Sequence, residues 1–273
     1  MNSSSSKVIG ASTSGGLLLF LLFIMVLGYW LATLYVPPFG SGFGTAQTVS
    51  VLLLVAFWSI LVLLVFGVLL AGVVGSFFHI LKQSLWAKAL FPAYLAVHLI
   101  IYGIVLERIT TILEGAPPVS FGPQAFMVFN FYFFPHTLLN TLVQITQNPG
   151  IVIILPPFYG VTLGPFAIFS AVLIGLLVTV HIDRLLHLSG RIRRAGGSVV
   201  YPAVGIVGGA SCCISLPDIA ASASPFALAI FSTPLWVNLL YVLYYLLPIS
   251  VIVVFAVTLL PSVADRMPMR CIH

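Results

Sequence analysis

Charge is what this chain has least of. Of 273 residues, ten are Lys or Arg and five are Asp or Glu, so charged residues make up 5% against 61% hydrophobic. A soluble domain carries roughly 25% charged residues, and stretches this long without charge cannot serve as a solvated surface. The shortage of acids makes a two-metal carboxylate site improbable. The sequence contains no phosphate-cradling GxxxxGK[ST], no HExxH and no GxSxG, which removes the commonest hydrolase and nucleotide signatures. No period of 20–50 residues recurs, so a repeat architecture has no support. The net charge of +5 does not point to nucleic acid. The bases stand at the ends of apolar segments, where they act as topology determinants and contacts for anionic lipid.

What is present in quantity is apolar sequence of membrane-spanning length. A span needs about 20 mostly apolar residues at 1.5 Å rise each. Six stretches qualify: Gly16–Val36, Val49–Ile80, Ala89–Leu113, Gly164–Ile182, Val199–Leu216 and Leu235–Leu260. The expected fold is therefore an all-α, polytopic transmembrane helical bundle of about six spans. The second stretch is too long for one upright helix and is expected to tilt or to extend past the bilayer. Residues 1–15 are a Ser/Gly-rich tail. The apolar run after them is longer than the roughly 7–15 residues of a signal h-region and has no small-x-small site, so it reads as a retained first span. Residues 262–273 form the second tail; with two residues after Cys271 it is not a prenylation box.

The few charges set the orientation. With the N-terminus inside, Lys7, Lys82, Lys88, Arg184, Arg191, Arg193, Arg194, Arg266 and Arg270 all fall on the inner side, leaving Arg108 alone outside. That is the positive-inside pattern of an N-in, C-in protein of a cell membrane. The outer loop 115–163 carries aromatics and no formal charge. Within it, Pro135 to Asn148 reads as a short amphipathic helix lying along the outer interface. Leu138, Leu139, Leu142 and Val143 form one face; His136, Asn140, Thr141, Gln144 and Gln147 form the other. The stretch 126–134 before it is expected to dip into lipid or to cover other helices.

Small residues recur every fourth position at Gly67, Ala71 and Gly75, and again at Gly205 and Gly209. Such stripes let helix backbones approach closely, within the bundle or against a partner subunit.

Four groups of residues could carry chemistry. The string from Gly208 to Asp218 contains Cys212, Cys213 and, past Pro217, Asp218. Adjacent thiols bind soft ions such as Cu(I) or cycle between dithiol and disulfide; Cys213 also continues the Gly205–Gly209 stripe, so plain packing accounts for it as well. Tyr94, His98 and Tyr102 are spaced by four on the third span, with His98 about 15 Å above Lys88, near the midplane. They mark a proton path, a ligand site or an inter-helix hydrogen bond. Glu107, Arg108, Glu114 and His136 form an outer polar cluster. His79 and His181 each precede a basic residue by three positions, and two such histidines at one depth are what axial ligation of haem b requires.

These features support three functions. The first is an integral subunit of a larger membrane complex, with a respiratory or electron-transfer assembly the first candidate and other membrane subunits as partners. The second is a transporter or channel for a small solute or for Cu(I), using a broken fifth helix and the Cys pair. The third is an outer-face thiol or quinone oxidoreductase. The sequence assigns no catalytic residue and leans away from an enzyme acting on its own.

Overall fold

The computed structural model describes residues 3–34, 45–98, 122–128, 138–155, 159–188 and 234–264. The chain is mostly helical. Its helices are α1 (Ser3–Thr33), α2 (Thr45–Val62), α3 (Ala71–Gln83), α4 (Leu85–Ala96), α5 (Leu138–Gln147), α6 (Pro165–Leu188) and α7 (Pro234–Ala264), with a π-helical segment at Leu63–Leu69. Three stretches are long and apolar enough to cross a membrane: Ser14–Thr33, Thr48–Leu69 and Pro165–Leu186, of 20, 22 and 22 residues. Helices answer the constraint that lipid imposes, because only internal hydrogen bonds can satisfy the backbone there.

Two compact units divide the chain, one formed by residues 1–71 with 128–150 and the other by residues 72–127 with 151–273. In the first, α1 and α2 form an antiparallel pair. A Cβ on Gly28 would touch Leu53 at 3.6 Å, and one on Gly15 would touch Val68 at 3.8 Å. Tyr29, Leu54 and Ile145 make a small buried core with Val26, Leu53 and Phe57 against it. The outward faces keep large apolar residues such as Leu17, Phe20, Phe23, Leu52 and Val55 exposed, as a lipid-facing or partner-facing surface requires. The Ser/Gly-rich tail is drawn into this helix, which starts at Ser3 and runs 31 residues.

The second unit is organised around α6. In its most apolar stretch 72% of residues are buried, against 6% and 11% for the stretches in α1 and α2, so among the described membrane-length stretches that of α6 is the packed one. Gly164 precedes it, with Ile168 N–H bonded to the Gly164 carbonyl at 3.2 Å, and Pro165 occupies the first helical position, where its missing N–H costs nothing. α4 runs antiparallel to α6. The close approach occurs at Gly175, where an added Cβ would stand 2.8 Å from Tyr94 Cδ1 and 3.3 Å from Phe91 Cε2. α7 runs parallel to α6: Phe166 meets Tyr245 at 4.9 Å between ring centroids, and Arg184, eighteen residues further on, reaches the Leu259 carbonyl.

Two expectations are corrected. The apolar stretch 49–80 is not one tilted or overlong helix. The Leu70 N–H bonds the Val65 carbonyl at 2.8 Å, a five-residue step that winds Leu63–Leu69 as π-helix, and Leu70 at φ −114°, ψ 17° breaks the rod before α3. The surplus length is absorbed by a break. The bundle is also not all-α. The stretch 115–163 holds β1 (Gln124–Val128), β2 (Gly150–Leu155) and β3 (Tyr159–Leu163) in a sheet of order β1-β2-β3. β2 and β3 pair antiparallel from Ile151 opposite Leu163 to Leu155 opposite Tyr159. The physical reason is the β-branched run Ile151–Ile154, too short for a span and well suited to a pleated ladder. β1 also takes the start of the stretch that was expected to dip into lipid.

Candidate functional site

At the basic end of α6, three helices leave a polar cavity of about 780 Å³. α3 lines it with Ser76, His79 and Gln83, spaced by three and four and hence on one helix face. Ser84 closes α3, with its N–H on the Ile80 carbonyl at 2.9 Å, and opens α4 in extended backbone at φ −120°, ψ 123°. Serine suits that N-cap position, and the sharp turn brings Ser84 and Trp86 to the cavity. α6 supplies Asp183 and Arg184.

The polar groups are held in place. Arg184 Nη1 donates to the Leu259 carbonyl at 3.1 Å, tying the guanidinium to α7. Asp183 is 7% exposed and is the one carboxylate among the described residues. Gln83 Nε2 lies 3.1 Å from His79 Nε2. The cavity therefore offers one anion, one cation and several neutral donors within a single space. Asp183 is the buried member of this lining, while His79 and Gln83 are exposed. Among the described residues no three His, Cys, Asp or Glu side chains gather to hold a metal ion.

The structure brings some of the residues expected from the sequence together and separates others. Tyr94 and His98 are both buried with ring centroids 5.7 Å apart; Tyr94 lies on the face of α4 turned to Gly175 of α6, and His98 follows just past the end of α4. By the antiparallel register His98 stands at the level of Ser170–Ala171. Ser170 is wholly buried, and its Oγ finds no hydrogen-bond partner among the described residues. His79 and His181 do not face a common space. His79 belongs to the cavity, whereas His181 Nε2 lies 3.2 Å from the Phe255 carbonyl and 3.2 Å from Thr258 Oγ1, with its ring against Phe255. The nitrogen that would bind haem iron is engaged with α7. Gly67, Ala71 and Gly75 are exposed, and a Cβ at Gly67 or Gly75 would meet no atom of the described residues within 4 Å. The break at Leu70 falls within this spacing, and among the described residues the tightest approach to a glycine is at Gly175. Tyr102, Glu107, Arg108, Glu114, His136, Gly205, Gly209, Cys212, Cys213 and Asp218 lie outside the described residues.

A second polar group, in the first unit, was not anticipated. α5 forms from the expected amphipathic segment, and both of its faces supply buried residues, Val143 as well as Thr141 and Gln144. Thr141, Gln144 and Asn148 are buried while Leu142 is 40% exposed. Tyr29 donates to Gln144 Oε1 at 3.4 Å. Trp58 Nε1 donates to the Ile145 carbonyl at 3.0 Å. Thr33 and Ser50 are buried too. Polar groups turned inward and a leucine turned outward are what a helix docked on spanning helices requires, since lipid cannot satisfy hydrogen bonds.

Sequence reasoning passed over Asp183 because Arg184 and the arginines after it made this end look like a topology signal alone. One clue was available: an acid among those bases has no role in setting orientation. Known proteins add nothing to the geometry: no family model, no curated protein and no solved structure matches the chain.

Proposed function

We propose that this chain is a multi-pass protein of a cell membrane, N-in and C-in with about six spans, that admits a small polar or zwitterionic solute from the inner side as a carrier or channel. The observation that carries the reading is the cavity at the basic end of α6, where buried Asp183 shares one space with Arg184 and His79. Ionisable groups inside membrane segments are costly and mark solute or ion pathways by default. The charge bias puts this end inside. The parallel packing of α6 and α7 supports the span count. Two parallel spans need a return crossing between them, and the apolar stretch 199–216 is long enough to supply one.

Ligand-dependent stabilisation of the purified protein tests the reading, with small amino acids, carboxylates and quaternary ammonium ions as probes. A ligand at about a hundred times its Kd adds about 2.7 kcal/mol. One probe class should stabilise the wild type, and Asp183→Asn or Arg184→Gln should weaken its binding by about thirtyfold or more. If no class stabilises the wild type, or both variants bind as tightly as it does, the cavity is not a solute site.

The exposed apolar faces of α1 and α2 favour a second reading, a subunit of a larger membrane complex such as a respiratory one. Isolation in mild detergent should then bring partner subunits along at fixed stoichiometry. A monodisperse single chain that still binds its solute would contradict it.

A further inference from the structure

The outer surface of the α3–α4 turn carries a second concavity, separate from the polar cavity, of about 480 Å³. Phe78, Leu81, Phe91 and Pro92 form its apolar floor, and Lys82 and Lys88 stand at its rim. Both lysines are exposed. The one carboxylate among the described residues, Asp183, lines the other cavity. Leu85, between the two lysines, is 81% exposed, the most exposed large apolar side chain among those described. Phe78, at 56%, lies open beside it. A turn that displays Leu and Phe between two cations is poorly suited to water and well suited to the boundary where headgroups meet acyl chains. The register of α4 on α6 places it there, because Ser84 and Trp86 share a cavity with Asp183 and Arg184 at the basic end.

We propose that this groove is a binding site for an anionic glycerophospholipid of the inner leaflet. Its phosphate pairs with Lys82 and Lys88, and an acyl chain lies along Phe78, Phe91 and Pro92. The occupant follows from the lining. Two cations select a net negative headgroup over a zwitterionic one, and the apolar floor needs a hydrocarbon chain, which no soluble phosphate supplies. The lysines suit the task because their stems lie along apolar surface while the ammonium groups stay at headgroup level.

The test uses the full-length protein in nanodiscs of equal phosphatidylglycerol and phosphatidylcholine, with retained lipid counted by native mass spectrometry. The wild type should keep phosphatidylglycerol preferentially. The preference should fall about fivefold for each lysine replaced by glutamine and about thirtyfold in Lys82→Gln/Lys88→Gln. Lys82→Arg/Lys88→Arg should retain it, and Lys7→Gln, which removes an inner charge elsewhere, should not change it. Inorganic phosphate should fail to compete. If the double glutamine variant does not insert, the wild type alone decides, because its preference should decline from low to high salt. The proposal is overturned by an unchanged preference in the double glutamine variant, by a wild-type preference indifferent to salt, or by displacement with inorganic phosphate, which would make it a phosphate site without lipid.

Discussion

Gly175 has to be glycine. Its Cα faces the Tyr94 ring so closely that a methyl group would stand 2.8 Å from Cδ1, and Tyr94 is buried, so the ring has little room to yield. Gly175→Ala should destabilise the protein by about 1–3 kcal/mol, the usual cost of overpacking, measured by reversible unfolding in mixed detergent micelles. Gly75→Ala is the matched comparison. Nothing among the described residues lies within 4 Å of its added Cβ, so removing a helical glycine should cost nothing and gain up to about 1 kcal/mol. The order of these two variants decides whether packing is governed by Gly175 or by the stripe. Regular four-residue spacing made that stripe conspicuous in the sequence. Gly175 stands alone among large apolar residues, and only its neighbour across the interface gives it meaning. For the same reason Tyr94 and His98 were legible as one helix face, while Ser170 on the opposite helix was not.

Among the elements, α5 is held by hydrogen bonds as well as by the apolar contact of Ile145 with Tyr29 and Leu54. Tyr29 to Gln144 and Trp58 to the Ile145 carbonyl join it to α1 and α2, and inter-helix bonds in membranes are worth about 0.6 kcal/mol each on average. Tyr29→Phe combined with Trp58→Phe should therefore speed amide exchange across Leu138–Gln147 severalfold while leaving α6 protected. Equal exchange in the variant would mean that the docking rests on packing alone. The long elements were readable from run length: α1, α6 and α7 each overlap an expected apolar stretch. The break at Leu70 and the strand β2 were not readable. A continuous apolar run has no period to separate helix from strand, and nothing in the stretch Val62–Leu70 announces a five-residue hydrogen bond. The faces of α5 were legible as well, but not that both would supply buried residues; that depended on Tyr29 and Trp58, which lie far away in the chain.

For the whole molecule, the account rests on one space at the basic end of α6, assembled from residues a hundred positions apart. Ser76 and His79 stood at the end of a stretch that read as lipid-spanning, with Gln83 just past it, and Asp183 sat beside a cluster of arginines, so no local pattern disclosed the site. If the cavity is an inner vestibule, water and solutes reach it from the inner side alone. Substituted-cysteine labelling at Ser76 tests this most directly, because Ser76 lines the cavity and the three native cysteines can first be replaced by serine. With Ser76→Cys in sealed vesicles of known orientation, a membrane-impermeant thiol reagent should label the protein when supplied to the inner side and should not when supplied to the outer side. Labelling from the outer side, or from neither side, would contradict the account.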